Sequence, residues 1–325
     1  MKDPSSVIAI MLVAALTAAP GVAPGQVKYP DRPIRMVVPF PPGSASDVLG
    51  RIVAQRLADI YRQQIVIDNR PGAGGLIGSD LVLKAAPDGY TLAMVGQPHL
   101  SNVLLREQKP YDPLQDFTAI SLVASTPNVI VIGNGVPAKN VPELIALAKA
   151  RPGALNYGSA GVGSSSHLAG AMFVSAAKIN VVHVPFRTGA DSRTALVNGA
   201  VQFYVYPLPA IMTLLQAGTL KAIAVASPKR AAAVPDIPTT AESGFPQYQS
   251  ESWFGIIAPA RLAQRLVARL NADIVAVLKE ADIRERFMRQ GAEPGFGPPE
   301  HFQHMQRDEY AQLATLIREI GMQLQ

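Results

Sequence analysis

A strand-like run that breaks at prolines and reopens as a helix constrains this chain most. Ile34, Met36, Val37 and Val38 read as an apolar strand; Pro39, Pro41, Pro42 and Gly43 end it; Val48, Ile52, Val53, Leu57 and Ile60 then recur at helical spacing. The first N–H groups of a helix have no intrahelical partner and together carry about half a positive charge, so such a turn can receive an anion. Pro41 and Pro42 stiffen the turn, Gly43 opens backbone conformations closed to other residues, and Ser44 and Ser46 add hydroxyls. An ordinary strand-to-helix connection capped by Ser46 reads the same residues without a ligand.

The alternation continues along the chain. Residues 65–67 read as a strand, 72–75 turn into a helix running towards 86, and 90–95 return as a strand. This βαβαβ order predicts a parallel sheet covered by helices on both faces. Residues 119–132 read as two strands split at Pro127, where the chain is expected to cross into a second domain. There Asn140 caps a helix, Pro142 sits in its first turn, Glu143 lies three residues after the cap, and Leu144, Ile145, Leu147 and Ala148 supply the apolar face. Strands near 156–157, 181–184, 202–205 and 222–226, with helices between them, repeat the pattern of the first half. Residues 251–259 read as a strand that crosses back. A helix with Leu262, Leu266, Val267, Leu270, Ile274 and Leu278 on one face follows, then a short helix ending at Gly291 and an amphipathic one over 299–320. Two crossings between two α/β domains make a hinge.

Composition fits that division. A chain of 325 residues with 48% hydrophobic and 16% charged content can bury two ordinary cores. The net charge of +5 comes from scattered basic residues without a Lys/Arg run or aromatic interleaving, which argues against nucleic acid and is compatible with small acidic ligands. An apolar run over 7–19 follows Lys2 and precedes Ala23-Pro24-Gly25, the pattern of an export signal peptide over residues 1–25. No other segment approaches 18 unbroken apolar residues, so a soluble exported chain starting near Gln26 is expected. The absence of cysteine removes disulfides, thiol catalysis and Cys-based metal sites, and export without disulfides suits a periplasmic protein.

A second glycine-rich turn runs from Gly158 to His167. The spacing Gly158-x-x-Gly161-x-Gly163 has the look of a dinucleotide turn, but that site also needs an acidic residue about 20 positions on to hold the ribose. Between Glu143 and Asp191 there is no Asp or Glu, while Lys149, Arg151, Lys178 and Arg187 fall in that interval. An acid-free, mildly basic segment favours a carboxylate over a nucleotide. Enzyme signatures are otherwise thin, with no Gly-x-Ser-x-Gly elbow, phosphate loop or zinc helix. His301 and His304 share a helix face without a third ligand and read as surface residues. His167 and His183 read as hydrogen-bonded structural histidines; a Ser164–His167 nucleophile pair, lacking a third member, is the hydrolase or transferase alternative, and a dinucleotide-dependent enzyme is a third reading. No metal and no cofactor is expected.

Motifs along the whole chain resemble one family. Tyr29-Pro30-Asp31-Arg32-Pro33-Ile34, Val38-Pro39-Phe40-Pro41-Pro42-Gly43, Asn69-Arg70-Pro71-Gly72-Ala73-Gly74-Gly75 and Pro87-Asp88-Gly89-Tyr90-Thr91-Leu92 look like segments of the solute receptors of tripartite tricarboxylate transporters, the Bug family. So do Tyr157-Gly158-Ser159-Ala160-Gly161, Ser166-His167-Leu168-Ala169-Gly170, His183-Val184-Pro185-Phe186, Pro238-Thr239-Thr240-Ala241-Glu242 and Trp253-Phe254-Gly255. The match runs in order over nearly all of residues 28–325. It implies a two-lobed, type II-like periplasmic binding protein fold of class α/β, each lobe a mixed, mostly parallel sheet flanked by helices. Lobe 1 would comprise residues 26–126 and 254–325 and lobe 2 residues 127–253, joined by two crossover strands.

The same resemblance implies a monomer that is not an enzyme. It would capture a small carboxylate or related metabolite in the interdomain cleft and present it to membrane permease subunits, or serve as an orphan receptor in signalling. Carried over by motif, the first contact group is Phe40, Pro42, Gly43, Ser44, Ser46 and Asp47, and the second is Ser159, Ala160, Gly161, Ser164, Ser165 and His167. Arg187, Thr188 and Gly189 occupy a further cleft loop, and Tyr206 belongs to the same surface. Three departures fall near the ligand: Ser44 and Thr188 replace glycines, and Tyr206-Pro207 stands where an acidic or amide residue is common. The ligand's identity therefore does not carry over. Asp47 keeps two readings, a complement to the helix dipole or a contact to an ammonium or a water held by the ligand.

Overall fold

The computed structural model describes residues 29–319 and residue 321. The expected export signal over residues 1–25 lies outside them. The chain divides into a leading unit, Met1–Asp31, of which residues 29–31 are described, and a main body, Arg32–Gln325. The fold that follows is that of the main body.

Strand β1 (Ile34–Val38) buries all of its residues except Arg35. It is flanked in parallel by β2 (Ile65–Asn69) and β3 (Thr91–Gly96), reached through helices α1 (Ala45–Tyr61) and α2 (Leu76–Leu83). Parallel strands covered on both faces need near-continuous apolar runs, which β1 and the Leu92-Ala93-Met94-Val95 run of β3 provide. β3 pairs antiparallel with β9 (Glu251–Pro259), and β9 pairs antiparallel with β4 (Phe117–Ile132). Beyond β4 lie β7 (Phe203–Pro207), antiparallel to it, then β5 (Asn156–Ser159) and β6 (Val182–Pro185), each parallel to its neighbour. Strands β8 (Lys221–Val225) and β10 (Glu293–Pro294) also pair with β4, off the path β2-β1-β3-β9-β4-β7-β5-β6.

β4 carries the connection between two α/β lobes. Its residues 117–127 pair with β9, whereas residues 128–132 pair with β7. The break expected at Pro127 does not occur: a single 16-residue strand runs through. At the rise of an extended chain it spans roughly 50 Å. Proline has no N–H to give, so a sequence pattern reads it as a stop; here it stands where the ladder changes partner, and Asn128 N resumes pairing with Ser250 O at 2.9 Å. Register shifts between Ala119 and Ser121 and between Leu122 and Ala124 mark irregularities that add local twist to the lobe 1 half of β4.

Alternation along the far end of β4 divides the second lobe's core in two. Ile130 and Ile132 face one cluster with Leu144, Phe173, Phe203 and Tyr248, while Val129 and Val131 face another with Tyr204, Leu208, Ile211 and Val225. Helices α4 (Val141–Ala150) and α5 (Ser165–Ala177) cover the first face. α4 starts as its sequence predicts: the Asn140 side chain accepts from Glu143 N, and the Glu143 carboxylate accepts from Lys139 N at 2.7 Å. Helices α6 (Gly189–Val197) and α7 (Met212–Gln216) contribute to the other face.

The chain's end returns to the first lobe. α8 (Gln264–Lys279) buries Val267, Leu270, Ile274, Val277 and Leu278, and α9 (Ala281–Arg289) buries Ile283 and Phe287. α10 (Pro299–Glu319) seats Phe302, Leu313 and Ile317 in the cluster of Val37, Val95 and Trp253. One short helix, α3 (Pro98–Leu104), is absent from the sequence reading. It begins at the carboxyl end of β3 and forms part of the cleft described next.

Candidate functional site

The first turn follows β1 and is held by its own side chains. Gly43 takes φ +75°, in the left-handed region that favours glycine, and Ser44 adopts the extended conformation of a helix cap. Ser44 Oγ accepts from Asp47 N at 3.3 Å, so the cap is Ser44 and not Ser46, which is buried in the helix's first turn. Asp47 accepts from Gly43 N at 2.9 Å, from Asn69 Nδ2 at 3.0 Å and from Arg51 Nη2 at 2.9 Å. Burial alone would raise the Asp47 carboxyl, but the hydrogen bonds from Arg51, Gly43 and Asn69 outweigh it and hold the group below the ordinary carboxylate value. Asp47 therefore faces its own turn and complements the α1 dipole.

The second turn, between β5 and α5, repeats this construction with a different acceptor. Ser164 has nearly the backbone angles of Ser44 (φ −70° and ψ 160° against −69° and 159°), and its Oγ accepts from His167 N at 3.3 Å. Gly163 takes φ +79°, and its N–H donates to His167 Nδ1 at 3.1 Å, as Gly43 donates to Asp47. Accepting at Nδ1 makes His167 neutral with its proton on Nε2. Its ring stacks on His183 with centroids 4.0 Å apart, and His183 in turn stacks on Tyr157. His183 Nε2 bonds to Ser159 Oγ at 2.8 Å, and Ser159 Oγ accepts from Gly161 N. Burial pushes His167 down to about 4, and burial with the neighbouring ring pushes His183 down to about 3.

Both turns border one cavity of about 580 Å³ of atom-free space, counting its open mouth. Of the residues expected in the site, Phe40, Pro42, Ser44 and Ser46 line it from the first lobe, and Ala160, Ser164, Ser165, Gly189 and Tyr206 from the second. The N–H groups of Ala45 and Ser46, and of Ser165 and Ser166, are the first-turn groups that a helix leaves without an internal acceptor, and all four residues line the cavity. Gly43, Asp47, Ser159, Gly161 and His167 do not line it. They hold the turns from behind, through the bonds just described. Thr188 caps α6 by accepting from Asp191 N at 3.0 Å, and Arg187 is exposed and off the wall.

Sequence reasoning missed much of the remaining wall. Arg193, on α6, is the only charged side chain among the described residues lining the cavity. A methyl group built on Gly43 would lie 3.6 Å from Arg193 Nη2, and one built on Gly189 would lie 3.2 Å from Nη1, so the guanidinium stands between the first turn and the start of α6. Tyr206 beside it is pushed up to about 12 by burial, against the pull of its hydrogen bond to Ser192 and of the Arg193 charge. Gly96 ends β3, and Gln97 and Pro98 follow it as the first turn follows β1, at the carboxyl ends of parallel strands where such folds place ligands; that rule could have found them. Trp253 and Phe254 of the returning strand complete the wall. Glu309, half-buried behind them and raised by that burial, accepts from Gln97 Nε2 at 2.7 Å and from Trp253 Nε1, fixing both.

Asn102 on α3 ties the two sides together. Its Nδ2 donates to Gly74 O at 2.6 Å, to Pro98 O at 3.1 Å and to Gly163 O at 3.0 Å, the last in the second turn. A methyl group on Gly163 would overlap Asn102 Oδ1. Ser164 Oγ donates to Gly161 O at 2.7 Å, lies 3.1 Å from Ser166 Oγ and meets His167 only at its backbone N–H, while His167 Nδ1 is already occupied, so the pair lacks the hydroxyl-to-imidazole bond of an activated nucleophile. The Ser159–His183 bond is buried beneath the turn, with Ser159 at 0% exposure. No group of three metal-ligating side chains occurs among the described residues, where His301 and His304 are exposed.

Comparison with known proteins gives a consistent picture. The profile of the tripartite tricarboxylate transporter family receptor matches residues 49–322. The chain is 34% identical to protein BugT of Bordetella pertussis over 321 residues, covering 98% of each. Among solved structures it is similar to R. palustris Rpa4515 with adipate, at TM-score 0.88 and 34% identity over 91% of this chain and 99% of that one. It is likewise similar to MatC from Rhodopseudomonas palustris with bound malate, at TM-score 0.84 and 30% identity over 89% of this chain and 100% of that one.

Proposed function

We propose that this chain, which belongs to the tripartite tricarboxylate transporter family of receptors, captures a small organic acid between its two opposed turns without transforming it. The observation that carries this reading is the pairing of free first-turn N–H groups, Ala45 and Ser46 on one side and Ser165 and Ser166 on the other, around a single cavity. A carboxylate there interacts with both lobes when they are closed and with one when they are open, and only such differential affinity shifts the population towards closure. The apolar body of the ligand rests against Phe40, Pro42, Trp253 and Phe254. Solved relatives hold adipate and malate, which sets the size and charge of the acids to try first.

Within this reading the lobes divide at residues 126/127 and 253/254. Residues 1–25 serve export to the periplasm, and no described helix is long and apolar enough to cross a membrane. The closed receptor is a monomer that presents its ligand to permease subunits. Thermal unfolding in the presence of short mono-, di- and tricarboxylates tests the core of it. A ligand at 1,000 times its Kd adds about 4 kcal/mol to the native state, so at least one acid is expected to raise the melting temperature by several degrees. Absence of any shift, or turnover of an activated ester lost in Ser164→Ala, would overturn the reading.

A further inference from the structure

We infer that Arg193 is the residue that selects the ligand's charge, so that the cleft takes a carboxylate bearing no amino group. This rests on the receptor reading above and deepens it. The guanidinium lines the cavity, stands within reach of both Gly43 and Gly189, and pairs with no carboxylate among the described residues. A part-buried guanidinium without a protein counter-ion is the strongest fixed charge in the cleft, and its planar fork fits a carboxylate with two parallel hydrogen bonds. No Asp or Glu is among the described residues of the wall. The acids behind the wall are already engaged: Asp47 by Gly43, Asn69 and Arg51, and Glu309 by Gln97 and Trp253.

An ammonium group on the ligand would therefore find hydroxyls and a like charge but no carboxylate to answer it. A carboxylate would find Arg193 in addition to the free N–H groups of the two helix starts. The pocket's chemistry thus separates an organic acid from the amino acid of the same carbon skeleton, and it does so at a residue outside both turns. Arg187, the basic residue that the sequence places in the neighbouring loop, is exposed and takes no part.

The test uses the full mature chain and matched probes: succinate, aspartate and succinamide; adipate, 2-aminoadipate and adipamide; and hexanoate and benzoate as monoacids. Calorimetry on the native protein, Arg193→Met and Arg193→Lys reads each dissociation constant, with the ligand-free melting temperature reporting that the variants fold. The acid that binds the native protein is expected to lose at least about tenfold in affinity in Arg193→Met, the scale of a charge-assisted hydrogen bond, and to regain part of it in Arg193→Lys. Its amino and amide analogues are expected to bind the native protein at least about tenfold more weakly, on the same scale. If a carboxylate binds native and Arg193→Met alike, or its amino analogue binds the native protein equally well, the assignment of Arg193 is overturned while the receptor reading stands. If no carboxylate binds the native protein, the receptor reading falls and this assignment falls with it.

Discussion

The two turns that face the cavity are built to one plan and differ at two positions, Ala45 against Ser165 and, with more consequence, the acceptor Asp47 against His167. Gly43-Ser44-Ala45-Ser46-Asp47 and Gly163-Ser164-Ser165-Ser166-His167 share a left-handed glycine, a capping serine with the same backbone angles, and a side chain three residues later that accepts the glycine's N–H. In the first lobe that acceptor is a carboxylate paired with Arg51; in the second it is a neutral imidazole. The first helix start is thus already complemented by an anion of its own, whereas the second keeps its dipole uncompensated in a segment without acids. Attraction for an anionic ligand is therefore lopsided, stronger from the second lobe and from Arg193 on the same side.

The largest test of this comparison sets the glycines against each other. Gly163→Ala is expected to cost about 3 kcal/mol in urea unfolding, combining the left-handed backbone with displacement of Asn102. Gly43→Ala, whose nearest neighbour is the movable end of Arg193, is expected to cost about 1 kcal/mol. Equal costs would mean that Asn102 does not clamp the second turn. Next comes the acceptor itself: Asp47→Ala leaves the Gly43 N–H and Asn69 Nδ2 without their partner and is expected to cost about 2–3 kcal/mol, the partly exposed Arg51 adding little.

Acid should loosen the two turns at different points. His167 and His183 have folded values of about 4 and about 3 against an ordinary 6.5, so the unfolded chain binds more protons between them. Their contribution is complete above pH 6.5 and is lost as pH falls towards the folded values, with a loss on the order of 3 kcal/mol from each by pH 4. His99, buried in the first lobe and likewise pushed down to about 4, follows the same trend, so the diagnostic is the difference between native and His167→Gln unfolding curves. Asp47 has a window of the same sign but lower in pH, because its stabilisation is complete above the ordinary 3.8 and disappears only as pH falls through its lowered value. A first turn that loosened before the second on acidification would break the comparison. The smallest effects belong to the caps: Ser44→Ala is expected to cost about 1 kcal/mol by thermal unfolding. Ser164→Ala should cost somewhat more, because Ser164 Oγ also donates to Gly161 O.

Much of this organisation is legible in the residues. The helix from Val141, with Asn140, Pro142 and Glu143 in their expected roles, forms where its capping pattern lies. The two turns are legible too, since local chemistry of Gly, Ser and Pro decides them. The cap at Ser44 in place of Ser46 was not, because two serines two residues apart offer the same hydroxyl and only the turn's closure by Asp47 selects one. Pro127 misled because its effect depends on which strand lies beside it. Arg193 was invisible for a similar reason: along α6 it is one polar residue among several, and its place against Gly43 is a relation between distant parts of the chain.

Alternating apolar periodicity and glycine-serine turns suffice to determine α/β lobes and two anion-receptive helix starts, because these follow from contacts within a few residues. Tertiary structure alone decided that the starts oppose each other across one cavity, that Asp47 and His167 turn inward to brace them, and that Arg193 supplies the cavity's charge. Those outcomes depend on how β4 and β9 carry one sheet into the other, and long-range pairing of that kind leaves no local mark on the sequence.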